Sequence, residues 1–129
     1  MAKSAAFARI KSQVLTLTYS IPVGRVSTYR SLGEHLDVMP RHVAYILTTL
    51  KEEEKADLPW YRVVSDNGAV SAPNPVKAKA QMELLAAEGV AIGPQKTILN
   101  FAAIFVAAPD LASGIPPQKR SHPAPELSD

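Results

Sequence analysis

The stretch Leu58-Pro59-Trp60-Tyr61-Arg62-Val63-Val64 sets two aromatics and an arginine directly ahead of two β-branched residues, and it holds the one tryptophan of the chain. A side chain placed here does covalent chemistry only as a nucleophile beside a base, and neither aromatic qualifies. Indole nitrogen is a donor only, and a phenol ionises near pH ~10. The chain has no cysteine, which removes thiolate nucleophiles, disulfides and thiolate-ligated metals. Its three histidines, His35, His42 and His122, have no partner at metal-ligand spacing. No cofactor and no metal are expected. Gly-rich phosphate loops and Gly-x-Ser-x-Gly elbows are missing as well. The run Glu52-Glu53-Glu54 reads as a solvated helix end, and Glu88 beside Gly89 as a helix-terminal surface residue whose carboxylate could reach a neighbouring site. A hydrolase or transferase built on Tyr61 or a serine would lack an activating base. Trp60 can still present a large apolar, π-rich wall to a ligand, or it can be plain core.

Composition narrows the class. In 129 residues, 47% hydrophobic and 20% charged side chains suit one soluble globular domain with a small core. No apolar run approaches the ~20 residues that span a bilayer, and the N-terminus lacks a signal-peptide core, so a cytoplasmic location without membrane contact is expected. If the source is bacterial, the protein would associate with the nucleoid. Net charge is +2, but residues 1–50 hold six Lys/Arg against two Asp/Glu. A basic N-terminal half is compatible with nucleic acid.

Phe7, Ile10, Val14 and Leu17 recur at spacings of three and four and predict an amphipathic helix over 5–18. Ile21-Pro22-Val23-Gly24 ends it. Ser27 or Thr28 can cap a second helix carrying Tyr29, Leu32 and Leu36 on one side, weakened by Gly33. Pro40 suits the first position of a third helix, about 40–51, with Val43, Ile46, Leu47 and Leu50 as its buried stripe. Two short helices joined by the turn at 37–40 are a helix-turn-helix candidate with the third helix in the recognition position. Asp66-Asn67-Gly68 between β-prone runs predicts a hairpin over 61–71. Val76, Ala80, Leu84 and Ala87 stripe a fourth helix that Gly89 ends. Residues 97–107 are ambiguous between strand and helix. The domain is expected to span 1–108. From Pro109 the chain carries five prolines among polar residues, and 109–129 is expected to be a disordered, Pro-rich tail.

Taken in order, the segments IPVGRVSTYRSLGEHL, PRHVAYIL, LPWYRVVSDNGAVS and LLAAEGV resemble the DNA-binding domain of the O6-alkylguanine-DNA alkyltransferases over roughly residues 5–92. The implied fold is mainly α with a small β-hairpin, a winged helix-turn-helix-like arrangement. In those repair enzymes the proline is followed by Cys-His-Arg, and the cysteine takes the alkyl group. Here the slot reads Trp60-Tyr61-Arg62, which resembles the alkyltransferase-like proteins that bind alkylated guanine without repairing it. Tyr61 replaces the proton-relaying histidine, and Glu88 matches the carboxylate that orients it, leaving that carboxylate nothing to orient.

The resemblance implies a site. Arg41 matches the arginine that fills the space of a flipped nucleotide, a task its planar guanidinium suits. Tyr29 matches the tyrosine that pushes on the 3′ phosphate. Pro40, His42 and Ala44 flank Arg41 on the helix that enters the minor groove. Tyr29, Trp60, Tyr61, Val63 (through its main-chain carbonyl) and Ser71 would line the lesion pocket, and Arg62 would tie the hairpin to the helices. The implied function is a non-enzymatic sensor, a monomer that binds O6-alkylguanine in double-stranded DNA, flips it and marks it for nucleotide excision repair proteins. The alternative is a winged helix-turn-helix transcription regulator with 61–71 as its wing and Arg41, His42, Thr48 and Thr49 as its reading set.

Overall fold

The computed structural model describes residues 5–70, 72 and 74–119. Helix α1 (Ala5–Tyr19) buries Val14, Leu17 and Thr18, with Phe7 and Ile10 packed at the edge of the same core. The predicted stripe is the buried one. Strand β1 (Ser27–Thr28) leads directly into α2 (Tyr29–Leu36), whose first turn is capped by Thr28 Oγ1 accepting from the Ser31 amide at 3.0 Å. Helix α3 (Pro40–Thr48) starts with Pro40 in the first turn and buries Val43, Ile46 and Leu47. It ends a turn earlier than its apolar spacing predicts.

The turn between α2 and α3 shows why Gly33 is there. A Cβ at Gly33 would lie 2.7 Å from the Val38 carbonyl oxygen, and the Val38 amide donates to the Gly33 carbonyl at 2.9 Å. The residue that weakens the helix is the one that lets the next backbone approach. Asp37 closes α2 in the left-handed region at φ 58°.

One turn of helix, α4 (Glu52–Lys55), precedes the Pro59-Trp60-Tyr61-Arg62 segment, which forms a 3₁₀ turn over Trp60–Arg62. Strand β2 (Val63–Val64) then pairs in parallel with β1, Ser27 opposite Val63 and Thr28 opposite Val64. The domain is mainly helical with this two-stranded sheet. Because successive strand residues face opposite ways, Val63 enters the core of α1–α3 while Val64 enters a second cluster with Val26, Leu85, Val90 and Ile98.

The hairpin expected over 61–71 does not form. Its turn does, with the Gly68 amide donating to Ser65 at 2.8 Å and Gly68 at φ +83°. However, Tyr61 and Arg62 are helical, Ala69 bridges to Thr97, and Val64 takes Thr28 as its partner. The turn residues specify a reversal only; burial of Val63 and Val64 between two cores selects the partner strand.

Helix α5 (Pro75–Ala87) is capped by Asn74 and buries Ala78, Gln81 and Leu85. The stripe expected from Val76, Ala80, Leu84 and Ala87 is the outer one, with Val76 79% exposed. Alanines on all sides leave the helix little amphipathic contrast to read. Residues 97–107 are neither one strand nor one helix: Ile98 bridges to Ile92, α6 (Phe101–Ile104) makes one turn, and Phe105 bridges to Val26.

The expected tail is a correction too. Residues 109–119 are anchored to the domain at a few points, with most of their side chains exposed. Ala108 and Leu111 are buried, and Ile115 lies against the main core. Ser31 Oγ accepts from the Ala108 amide at 2.8 Å, His35 Nε2 donates to the Ile115 carbonyl at 2.7 Å, and the Gln118 amide donates to the His35 carbonyl at 2.7 Å. Leu111 and Ile115 supply apolar anchors, and α2 supplies the polar partners; proline content alone hides both. Residues 120–129 of the expected tail lie outside the described residues.

Candidate nucleic-acid interface

Trp60 is half-buried, held on the edge of the core by the 3₁₀ turn. It lines a narrow cleft with Tyr29, Leu47, Thr48, Lys55, Ala72, Lys77 and Gln81. Tyr29 reaches that cleft because it is the first residue of α2, fixed by the Thr28 cap. Two residues from distant parts of the sequence thus line one cleft. The cleft volume is about 20 Å³, room for about one or two waters.

The other expected pocket residues fall elsewhere. Tyr61 lines a wider groove of about 350 Å³ with Tyr19, Pro59, Trp60, Arg62 and Leu84, its ring edge-on to Trp60 at 5.9 Å and 87°. Val63 is fully buried, and its carbonyl accepts from Gln81 Nε2 at 3.2 Å. Ser71 lies outside the described residues. Gln81 is the residue that sequence reading missed. Its amide nitrogen also donates to the Tyr61 carbonyl at 3.1 Å, pinning both sides of the β2 entrance. The signal available was a lone polar residue in the stripe Ala78, Gln81, Leu85, visible only once that stripe is known to be the buried one.

Glu88 is not idle. Its Oε2 accepts from the Tyr61 hydroxyl at 2.8 Å and Arg62 Nη2 at 2.5 Å, and its Oε1 accepts from the Gly24 amide at 3.1 Å and Arg62 Nε at 3.0 Å. Arg62 Nη1 donates to the Ile21 carbonyl at 2.7 Å. Both charged side chains are nearly covered, 10% and 12% exposed. The expectation of a surface carboxylate with nothing to orient therefore fails, because α5 packs against the 3₁₀ turn and its C-cap residue, Glu88, meets Tyr61 and Arg62 there. Burial by itself would raise the Glu88 carboxyl, but hydrogen bonds from Arg62, Gly24 and Tyr61 outweigh it and hold the group below the usual carboxylate range. Burial and the Glu88 bond push the Tyr61 phenol up. At neutral pH Tyr61 is a neutral donor, unfit as a base.

On the α3 side, Pro40 and Arg41 open the helix and Arg41 is exposed. Ala44 is half-buried. His42 and Tyr45 line an apolar recess against α1 with Ala6, Phe7, Ile10 and Ile46. The arginine is left at the solvent edge, next to a helix pair whose intervening turn is closed by Gly33.

A mainly helical domain with a helix-turn-helix pair beside an aromatic cleft is a DNA-binding architecture. Residues 9–90 match the family described as the DNA-binding domain of 6-O-methylguanine DNA methyltransferase, and the chain belongs to that family. Over 82 residues it is 33% identical to a DNA base-flipping protein of Vibrio parahaemolyticus serotype O3:K6 (strain AQ3810), covering 62% of this chain and 79% of that protein. The crystal structure of S. pombe Atl1 in complex with damaged DNA containing O6-carboxymethylguanine aligns with a TM-score of 0.67 at 26% identity, over 82% of this chain and 98% of Atl1. A second structure, S. pombe ATL in complex with DNA, aligns with a TM-score of 0.65 at 24% identity over the same shares, a likeness of fold. The fold is that of the alkyltransferase-like proteins. Among the described residues no helix is long and apolar enough to cross a membrane.

Proposed function

We propose that this protein is a non-enzymatic sensor of O6-alkylguanine in duplex DNA. It inserts α3 into the minor groove, fills the vacated base position with Arg41, receives the flipped base against Trp60 and Tyr29, and marks the site for nucleotide excision repair. The observation that carries the reading is Trp60 lining a cleft in a chain that contains no cysteine; the resemblance of its motif to the repair enzymes implies that Trp60 takes the slot of their cysteine. The names of its relatives, a base-flipping protein and an Atl1 complex with damaged DNA, support it. Extruding a base costs a few kcal/mol, repaid by stacking and pocket contacts. The regulator reading needed a hairpin wing, and the strand at 63–64 instead pairs in parallel with 27–28.

The deciding measurement is binding to one oligonucleotide duplex with and without a single O6-methylguanine, in two sequence contexts. A sensor responds to the lesion in both; a preference that follows sequence and ignores the lesion overturns the reading. Incubation with duplex carrying labelled O6-methyl should leave the protein unlabelled, while the bound lesion is shielded from a true alkyltransferase. Trp60→Cys should remain inactive or nearly so, because Tyr61 donates its proton to Glu88 and cannot take one from the thiol. Stoichiometric methylation of either protein, read by mass, contradicts this account of the site.

Arg41→Ala should weaken binding to the lesion duplex by about 1–3 kcal/mol, as for a specific readout contact. The salt dependence should change by about one counterion at most. Unchanged lesion affinity would reduce Arg41 to a bystander.

A further inference from the structure

The cleft carries a charge pattern that stacking and base flipping do not require. Lys55 Nζ lies 4.8 Å from the centroid of the Trp60 ring, and Lys55 and Lys77 both line the cleft. Burial, followed by the like charge of Lys77, pulls the Lys55 ammonium below the ordinary lysine range. The two cations are neighbours. Among the described residues neither has a carboxylate within 4.0 Å. Glu54 is turned to Lys11 at 2.9 Å, and Glu52 attracts Lys55 only weakly.

Lys77 also sits in the first turn of α5, a turn with no acidic residue, where its amide donates to Asn74 Oδ1 at 2.8 Å. The start of a helix favours anions and disfavours cations. Two lysines and a helix N-terminus thus converge on one aromatic cleft, and among the described residues neither lysine is ion-paired to a carboxylate. At position 77 a glutamate would suit the helix start better than a lysine.

We infer that Lys55 and Lys77 form an anion seat in the Trp60 cleft, so that O6 substituents ending in a carboxylate are held in preference to neutral substituents of the same size. This rests on the proposed function, since the substituent arrives only with the flipped base. The chemistry recognised is an anionic oxygen group. A backbone phosphate carries the same chemistry, and the experiment separates the two sources.

Binding would be measured to one duplex bearing guanine, O6-methylguanine, O6-carboxymethylguanine or O6-carbamoylmethylguanine, the last a neutral match to the carboxylate. The wild type should bind carboxymethyl about fivefold more tightly than carbamoylmethyl, the scale of a partly exposed ion pair. Lys55→Gln and Lys77→Gln should each pull that ratio toward one, whatever either does to O6-methylguanine affinity. Lys55→Arg, which keeps the charge, should keep the preference. A wild-type ratio near one overturns the inference. So does an equal loss for all four duplexes with a flatter salt dependence, which assigns the lysines to phosphate. If the wild type cannot tell O6-methylguanine from guanine, the sensor reading falls and takes the seat with it. Discrimination of methyl with no carboxylate preference removes the seat alone.

Discussion

Glu88→Ala should destabilise the protein by about 3–5 kcal/mol, the cost of leaving one member of a buried ion pair uncompensated. Arg62 would keep its Ile21 carbonyl contact but lose its Glu88 contacts, and the Gly24 amide and Tyr61 hydroxyl would lose their acceptor. That is a large share of the ~5–15 kcal/mol by which domains are stable. It should lower the thermal midpoint by roughly 10–20 °C in a chain of this size. Arg62→Met with Glu88→Leu, which removes both charges and keeps volume, should recover much of the loss. Calorimetry or chemical denaturation gives both values. A Glu88→Ala midpoint within a few degrees of wild type would mean that water enters and solvates Arg62 freely.

The same carboxylate sets a pH dependence. Its folded-state pKa lies below the unfolded value of about 4.3. Its contribution is therefore fully present above that value and is lost as pH falls through the lower, folded-state pKa. Wild type should lose stability below about pH 4 more steeply than Glu88→Gln, whose amide does not titrate. Parallel acid limbs for the two proteins would show that other carboxyl groups govern acid unfolding.

Trp60→Ala should separate binding from stability. Trp60 touches the core but is half-buried, with open space on two sides. Truncation should cost less than the ~3–5 kcal/mol of a fully buried tryptophan and leave a folded domain. Affinity for the O6-methylguanine duplex should fall by about 1–3 kcal/mol, the worth of one base–aromatic stack. Because Trp60 is the one tryptophan in the chain, its fluorescence should change with lesion-bearing duplex and much less with undamaged duplex. A present cavity of about 20 Å³ adds a kinetic expectation: the change should follow encounter as a slower phase, while the wall moves to admit the base. An unfolded Trp60→Ala protein, or a signal blind to the lesion, would return Trp60 to the core.

What could be read from the sequence was local or motif-borne. Helix α1, the Thr28 cap, the Pro40 start and the reversal at Gly68 follow from spacing, capping and turn chemistry, each confined to a few neighbouring residues. The placing of Trp60 and Tyr29 in one pocket came from ordered motifs, and the fold brings both to one cleft. The tertiary structure decided whatever required a partner distant in the chain. The strand at Val63–Val64 could have paired with the residues just after its turn, and two apolar clusters on opposite faces chose Ser27–Thr28 instead. The buried face of α5 was undecidable while alanines lay on every side of it; packing against β2 chose the face with Gln81. Glu88 reads in the sequence as a helix-terminal surface residue, and the packing of α5 against the 3₁₀ turn makes it the acceptor of a buried cluster. The anchoring of residues 108–118 depends on Ser31 and His35 of α2, far away in the chain. Period and propensity are carried by adjacent side chains. Partner choice is carried by the area two distant segments can bury together, which a sequence pattern does not display.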